Sequence, residues 1–290
     1  MKLINYGEKI PDNLTLALGY FDAVHKGHIA VLERAVSIAK SKGLVPTALI
    51  FTGGKSKTDV FTLSERADKI FACGIEIIIV KPLDRAFMAK TKEEFLTELS
   101  SLYFISSVVS GVDFTFGKGA LGGVQTLKEF FGEDKVYTES LLSDNSGKFS
   151  STKIKEALSF GDIKLANFYL GSNYYISGLV FKGKGLGNTL DFPTANIVLS
   201  SEKFKIKQGV YKTFVVIDGV KYKSITNYGT QPTVLGNDVI VETYIDGFSG
   251  DLYGKNLTVY FDEFLREIKK FSSLEELKEQ LIKDKGSLND

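Results

Sequence analysis

From Leu14 onward the chain alternates between two textures. The run LTLALGYF at 14 to 21 is mostly apolar, as a strand buried on both faces is. GHIAVLERAVSIAKSKG then spaces its apolar residues three and four apart, and LVPTALIF at 44 to 51 returns to the strand pattern. That order predicts a βαβ unit. It continues through helix-like LSERADKIFACG, strand-like IEIIIV at 75 to 80, helix-like KEEFLTELSSLYF, strand-like SSVVSG at 106 to 111 and helix-like TLKEFFG. A parallel sheet with helices on both faces is the expected architecture.

After about residue 170 the pattern changes to short β-rich runs, YYISGLVF, VYKTFVVID, KYKSITNY, VIVETYI and LTVYFDEF, separated by Gly, Asp and Asn turns. They predict an antiparallel sheet or barrel. SSLEELKEQLIKD at 272 to 284 opens with a Ser N-cap and a Glu one turn on, so an amphipathic helix follows the last strand. The fold class expected is α/β then β. The helical run IKLANFYLG stops on Gly171, which puts the domain boundary between 1–170 and 171–290.

The length of 290 residues also favours two domains. With 36 Lys and Arg against 35 Asp and Glu, the net charge of +1 carries no global basic field for nucleic acid or an anionic membrane, so any anion site is local. The single cysteine, Cys73, excludes an intramolecular disulfide framework and a thiolate metal cluster. MKLINYGEKIPD lacks the apolar core of a signal peptide, and no later run reaches the roughly 20 apolar residues of a membrane span. The expectation is a cytoplasmic enzyme with neither a nucleic-acid nor a membrane partner.

Both histidines of the chain, His25 and His28, lie in GYFDAVHKGH at 19 to 28, between the first strand and the first helix. Two imidazoles at the carboxyl end of a parallel strand, beside the free N–H groups of a helix start, suit a polyphosphate. SSTKIKEAL brings Ser151, Thr152 and Lys155 to another helix start, which reads as a phosphate clamp or as a plain capped helix. In GVDF, Asp113 is placed to accept hydrogen bonds from a ring system, while Phe114 and Phe116 read equally as stacking or core residues.

GYFDAVHKGH resembles the GxFDGVHxGH form of the HxGH nucleotidyltransferases, specifically the FMN adenylyltransferase module of bacterial FAD synthetases. SGVDFTFGKGALGG at 110 to 123 resembles that family's GxDFxFG segment, and FSSTKIKEALSFGD at 149 to 162 its SSTxIRxxLxxGD segment. The resemblance implies a Rossmann-like sheet. It makes His25 and His28 catalytic, gives ATP Gly19, Phe21, Asp22, Ser151, Thr152 and Lys155, and gives the flavin Asp113 and Phe114. Departures are Ala23 for a common Gly, Lys155 for an Arg, and FTGGKSK at 51 to 57 for an FxPHP segment. Lysine keeps the charge and loses the bidentate fork.

The second half has a signature of its own. GLVFKGKGLGNTLDFPTANI at 178 to 197 carries Gly183, Gly185 and Gly187 around a lysine pair, where backbone can approach phosphates closely, and then Pro193-Thr194-Ala195-Asn196. The PTAN run, with GVY at 209 to 211, NYGTQPT at 227 to 233 and DLYGK at 251 to 255, resembles the riboflavin kinase family and implies its small six-stranded β-barrel with a terminal helix. By that resemblance Thr194 and Asn196 hold Mg²⁺ beside ATP, Glu242 is the catalytic base, and Arg266 lies on the flavin side. The family's GRTLGFPTAN is GNTLDFPTAN here. The lost cation at Asn188 and the gained anion at Asp191 are expected to weaken ATP binding by about 1–2 kcal/mol each, unless Asp191 caps the turn and faces outward.

Together the two resemblances imply a bifunctional riboflavin kinase and FMN adenylyltransferase, with riboflavin, FMN and ATP as substrates. The alternatives are a single-activity adenylyltransferase with a degenerate kinase domain, and a non-catalytic flavin-binding regulator.

Overall fold

A computed structural model of the protein describes residues 1–53, 58–140, 143–144, 147–183, 192–233 and 236–289. Packing divides the chain into two units, Met1–Ser151 and Thr152–Asp290.

In the first unit the strands are β1 (Lys2–Asn5), β2 (Leu14–Leu18), β3 (Val45–Gly53), β4 (Ile77–Leu83), β5 (Ile105–Gly111) and β6 (Val136–Glu139). They form one parallel sheet in the order β1-β4-β3-β2-β5-β6. The helices are α1 (Lys26–Lys42), α2 (Leu63–Ala72), α3 (Arg85–Met88), α4 (Lys92–Leu102) and α5 (Val124–Phe131). Alternate residues of a strand face opposite sides, and both sides are apolar here. Leu14, Leu16 and Leu18 of β2 pack with Phe95, Leu99 and Leu127, while Ala17 packs with Leu32, Ala35 and Ile70. Double burial is why the strands read as continuous apolar runs. Strand order reverses between β2 and β5, the position where ligands bind in open α/β sheets.

Two strands escape a reading by apolar runs. β1 and β6 are edge strands of four residues each, β1 largely open to solvent and β6 half-buried, and each is recruited by one parallel neighbour. Thr62–Glu65 and Thr91–Glu94 form reciprocal capping boxes that start α2 and α4.

The second unit opens with α6 (Ser151–Phe160) and α7 (Ile163–Leu170) and continues with β9 (Tyr174–Leu179), β10 (Thr194–Val198), β11 (Gly209–Ile217), β12 (Val220–Thr233), β13 (Gly236–Ile245), β14 (Asn256–Arg266) and α8 (Leu274–Gly286); β7 (Ser143–Asp144) and β8 (Gly147–Lys148) form a small hairpin in the first unit. The sheet is antiparallel in the order β10-β13-β12-β11-β14-β9. It curls far enough that the Phe181 N–H, just past β9, donates to the Asn196 carbonyl of β10 at 2.9 Å. Tyr174, Tyr211, Tyr228, Val259 and Phe261 are fully buried. Hydroxyls of Thr213, Ser224, Thr226 and Thr243 bond one another at 2.7–2.9 Å across β11, β12 and β13, so these four buried hydroxyls satisfy one another.

The helices ahead of β9 pack with the barrel. Asn167 of α7 donates to the Phe261 carbonyl at 3.0 Å and accepts from the Tyr174 N–H at 2.7 Å, and the Lys207 N–H donates to the Leu158 carbonyl of α6 at 3.0 Å. A fragment spanning 171–290 therefore removes the acceptors of the Tyr174 and Lys207 N–H groups, while the Phe261 carbonyl keeps the Asn173 side chain at 3.1 Å. Thermal unfolding of 152–290 and 171–290 side by side is expected to show the longer fragment melting higher by several degrees, since each lost buried partner costs about 1–3 kcal/mol. Equal melting temperatures would place the boundary at 170/171.

Candidate active sites

The turn from β2 into α1 is the centre of the first site. Phe21 and Val24 adopt left-handed backbone, with φ of 49° and 43°, conformations that cost a non-glycine residue about 1–3 kcal/mol and collect where a site needs them. Ala23, fully buried, is not among the left-handed residues, so the alanine that stands for the usual glycine meets no backbone obstacle. His25 is the N-cap of α1, its Nδ1 accepting from the His28 N–H at 3.3 Å. A Cβ on Gly27 would lie 3.2 Å from the His25 ring, so glycine between the histidines is what lets that ring fold back over the helix start. The imidazoles stack at 3.8 Å between centroids, 16° from parallel, and the Phe21 ring meets His28 edge-on at 5.1 Å.

Both imidazoles are held neutral. Burial, reinforced by Lys148, pushes the His25 pKa down to about 4. Burial, with His25, Arg66 and Lys148 nearby, drives that of His28 well below the usual value. Because His25 accepts at Nδ1, its neutral ring carries the proton on Nε2. The effect on stability has a defined sign: the unfolded chain binds a proton at His25 near pH 6.5, and the folded chain only near 4. Stability at this residue is full above pH 6.5 and falls by roughly 3 kcal/mol as the pH drops to 4. Urea midpoints across that window are expected to decline less steeply in His25→Asn, which keeps a capping acceptor; an unchanged slope would refute the depressed pKa.

A cavity of about 880 Å³ opens at the carboxyl ends of β2 and β5. Gly19, Phe21, Asp22, His25, His28, Asp113, Phe114 and Ser151 all line it, which brings three segments far apart in sequence to one place. Phe114 and Phe116 stack at 5.8 Å, and Phe116 also packs 5.3 Å from Phe95, so these two rings are wall and core together. Asp113 is paired with Lys148 of β8. Asp22 accepts from the Val60 N–H at 2.6 Å. Of the remaining phosphate candidates, Thr152 is exposed on the first turn of α6 and Lys155 lies 5.8 Å from the Phe204 ring centre, both within the second packing unit.

In the second unit Thr194 and Asn196 occupy β10, and Asn196 faces Glu242 of β13 in register. The Thr194 hydroxyl donates to Glu242 Oε1 at 3.1 Å, and Asn196 Nδ2 donates to the Thr194 carbonyl at 3.3 Å. A Cβ on Gly183 would come within 2.6 Å of Asn196 Nδ2, so any side chain at 183 would displace this amide. Hydroxyl, amide and carboxylate oxygens make a hard donor set of the kind Mg²⁺ takes alongside substrate phosphates. Arg266 grips Asp284 of α8 through Nε at 3.0 Å and through a terminal nitrogen at 2.6 Å, tying the terminal helix to β14. Gly185, Gly187, Asn188 and Asp191, like Lys55 and Lys57, lie outside the described residues.

Two family models match the chain, one described as FAD synthetase over residues 7–153 and one as riboflavin kinase over 170–290. A bifunctional riboflavin kinase/FMN adenylyltransferase of Bacillus subtilis is 31% identical over 283 residues, covering 93% of this chain and 90% of that protein. The chain belongs to this family. A relative of the same description from Escherichia coli is 31% identical, covering 98% of this chain and 96% of its own length. A crystal structure from Streptococcus pneumoniae, named there a macrolide-efflux protein, superposes with a TM-score of 0.88 at 28% identity over 99% of both chains. The efflux name stays with that protein; among the described residues here, no helix is long and apolar enough to cross a membrane.

Sequence reasoning missed two members of the first site. Lys148 sits one residue before the FSST run and reads as an ordinary surface cation until the hairpin of β7 and β8 brings it to Asp113. Arg66 is fully buried. Its one sequence signal is position, since it shares a helix face with Ile70, four residues on, where an apolar side chain is expected.

Proposed function

We propose that this chain makes FAD in two ATP-dependent steps, each at one of the two sites described. The first phosphorylates riboflavin to FMN in the second packing unit; the second transfers an adenylyl group from ATP to FMN in the first, releasing pyrophosphate. The observation that carries the second assignment is the convergence of the His25–His28 stack, Asp113 and Ser151 on one cavity large enough for a nucleotide beside a flavin.

In adenylyl transfer an FMN phosphate oxygen attacks the α-phosphorus of ATP and the bond to pyrophosphate breaks. Negative charge grows on the oxygens around that phosphorus. Neutral imidazole N–H groups at the start of α1, reinforced by the helix N-terminus, donate to those oxygens; Ser151 and Lys148 extend the same polar wall, and Phe114 and Phe116 offer apolar surface to the flavin rings. In the kinase, Glu242 orients the riboflavin 5′-hydroxyl and takes its proton as the γ-phosphoryl group leaves ADP. Thr194, Asn196 and Glu242 are the residues that would hold Mg²⁺, which neutralises phosphate charge when bound. Arg266 belongs on the flavin side of this site, fixed in place by Asp284. A cytoplasmic setting fits a consumer of ATP.

Matches to both family models, and relatives described by both activities, favour the bifunctional reading over a single activity or a non-catalytic flavin binder. The direct test supplies the purified protein with riboflavin, ATP and Mg²⁺, and separately with FMN, ATP and Mg²⁺, and resolves the flavins chromatographically. FAD from both mixtures is the expected result. FAD from FMN alone would indicate a single activity, and neither product a regulator.

A further inference from the structure

Arg66 is the largest fully buried side chain of the described residues, and its guanidinium is spent on the chain segments that build the adenylyl-transfer cavity. Nε donates to the Phe21 carbonyl at 3.1 Å, one terminal nitrogen to the Tyr20 carbonyl at 2.5 Å and the Phe51 carbonyl at 2.9 Å, and the other to Asp59 at 3.2 Å. Tyr20, Phe21 and Phe51 all line the cavity. Burying a cation without water is costly, and the cost is offset only because every bond here is charge-assisted.

The two carbonyls of Tyr20 and Phe21 flank the Phe21 Cα, the first left-handed residue of the turn. Holding both fixes the rotation between them, and with it the direction of the Phe21 ring. That ring stands against His28, which stacks on His25. A continuous path of contacts thus runs from the guanidinium through Phe21 to the imidazoles. The Phe51 bond extends the grip to the carboxyl end of β3.

We propose that Arg66 is a positioning residue for adenylyl transfer, clamping the left-handed turn at Phe21 so that the His28 and His25 rings are held in their reactive stack. This rests on the assignment of adenylyl transfer to that cavity. A planar fork with several donors can reach three carbonyls and a carboxylate at once; an ammonium cannot. Lysine at 66 therefore keeps the charge and loses the clamp.

The test compares Arg66→Lys, Arg66→Met and His28→Ala in the full chain, measuring kcat and KM for both reactions. Arg66→Lys is expected to lower kcat for FAD formation by at least about tenfold with KM for ATP and FMN little changed, because misplacing reacting groups slows the step without removing binding contacts. Arg66→Met is expected to be slower still, riboflavin phosphorylation by the same Arg66→Lys molecules to stay at the parent rate, and thermal unfolding of Arg66→Lys to begin well above the assay temperature, which loss of folding in the first unit would not allow. FAD formation intact in Arg66→Lys but lost in His28→Ala would overturn the positioning role alone. Equal loss of both activities in Arg66→Lys would also overturn it, by making Arg66 a residue of the whole fold. FAD formation intact in His28→Ala would overturn the assignment of the reaction to this cavity.

Discussion

His28→Ala is expected to cut the conversion of FMN to FAD by about 10²–10³ and to leave riboflavin phosphorylation at its parent rate, since removing one preorganised donor from a site of developing charge costs that much. The His28 ring is buried against Phe21 on one side and His25 on the other, and its Nδ1 is shielded from solvent. Alanine removes the donor and also leaves His25 without its stacking partner, so the loss falls on kcat and on the arrangement of the remaining imidazole. The backbone N–H of residue 28 still caps onto His25, and helix α1 keeps its start. Steady-state kinetics of the two reactions on one preparation is the measurement. Loss of both activities together in a folded variant would refute two separate sites.

Glu242→Gln is the counterpart in the second unit, expected to lower riboflavin kinase kcat by about 10²–10⁴ while FAD formation from supplied FMN continues. The substitution is nearly isosteric, and its amide oxygen still accepts from the Thr194 hydroxyl, so β10 and β13 keep their register. What disappears is the negative charge, and with it both a base for the 5′-hydroxyl and an anionic donor for a cation. Raising Mg²⁺ restores activity only in so far as cation binding was the defect; a rate that stays low at saturating Mg²⁺ assigns the loss to proton transfer. A kinase rate within about twofold of the parent would remove Glu242 from the chemistry.

Much of this architecture was legible from the order of residues along the chain. Strands buried on both faces carry no polar alternation, so β2, β3 and β4 announced themselves as apolar runs, and the helices between them by spacing and caps such as Thr62–Glu65. Glycine at 27 also has a local reason to be there, since it leaves room for the His25 ring two residues back. Edge strands β1 and β6 escaped because a four-residue segment is too short to show a periodicity of its own and becomes a strand only when a partner offers hydrogen bonds.

Local sequence therefore determined most element types, their order and the helix start that carries both histidines. Tertiary structure alone decided the rest. It brought residues 19–28, 111–116 and 148–151 to one cavity, packed α6 and α7 with the barrel, and gave the imidazoles their neutral state, because burial and the charges around a ring depend on what folds over it. The same reason hid Arg66 and Lys148. Their chemistry lies mainly in distant partners, three backbone carbonyls for one, beside the nearby Asp59, and Asp113 for the other, and such partners become neighbours only when the parallel strands have assembled.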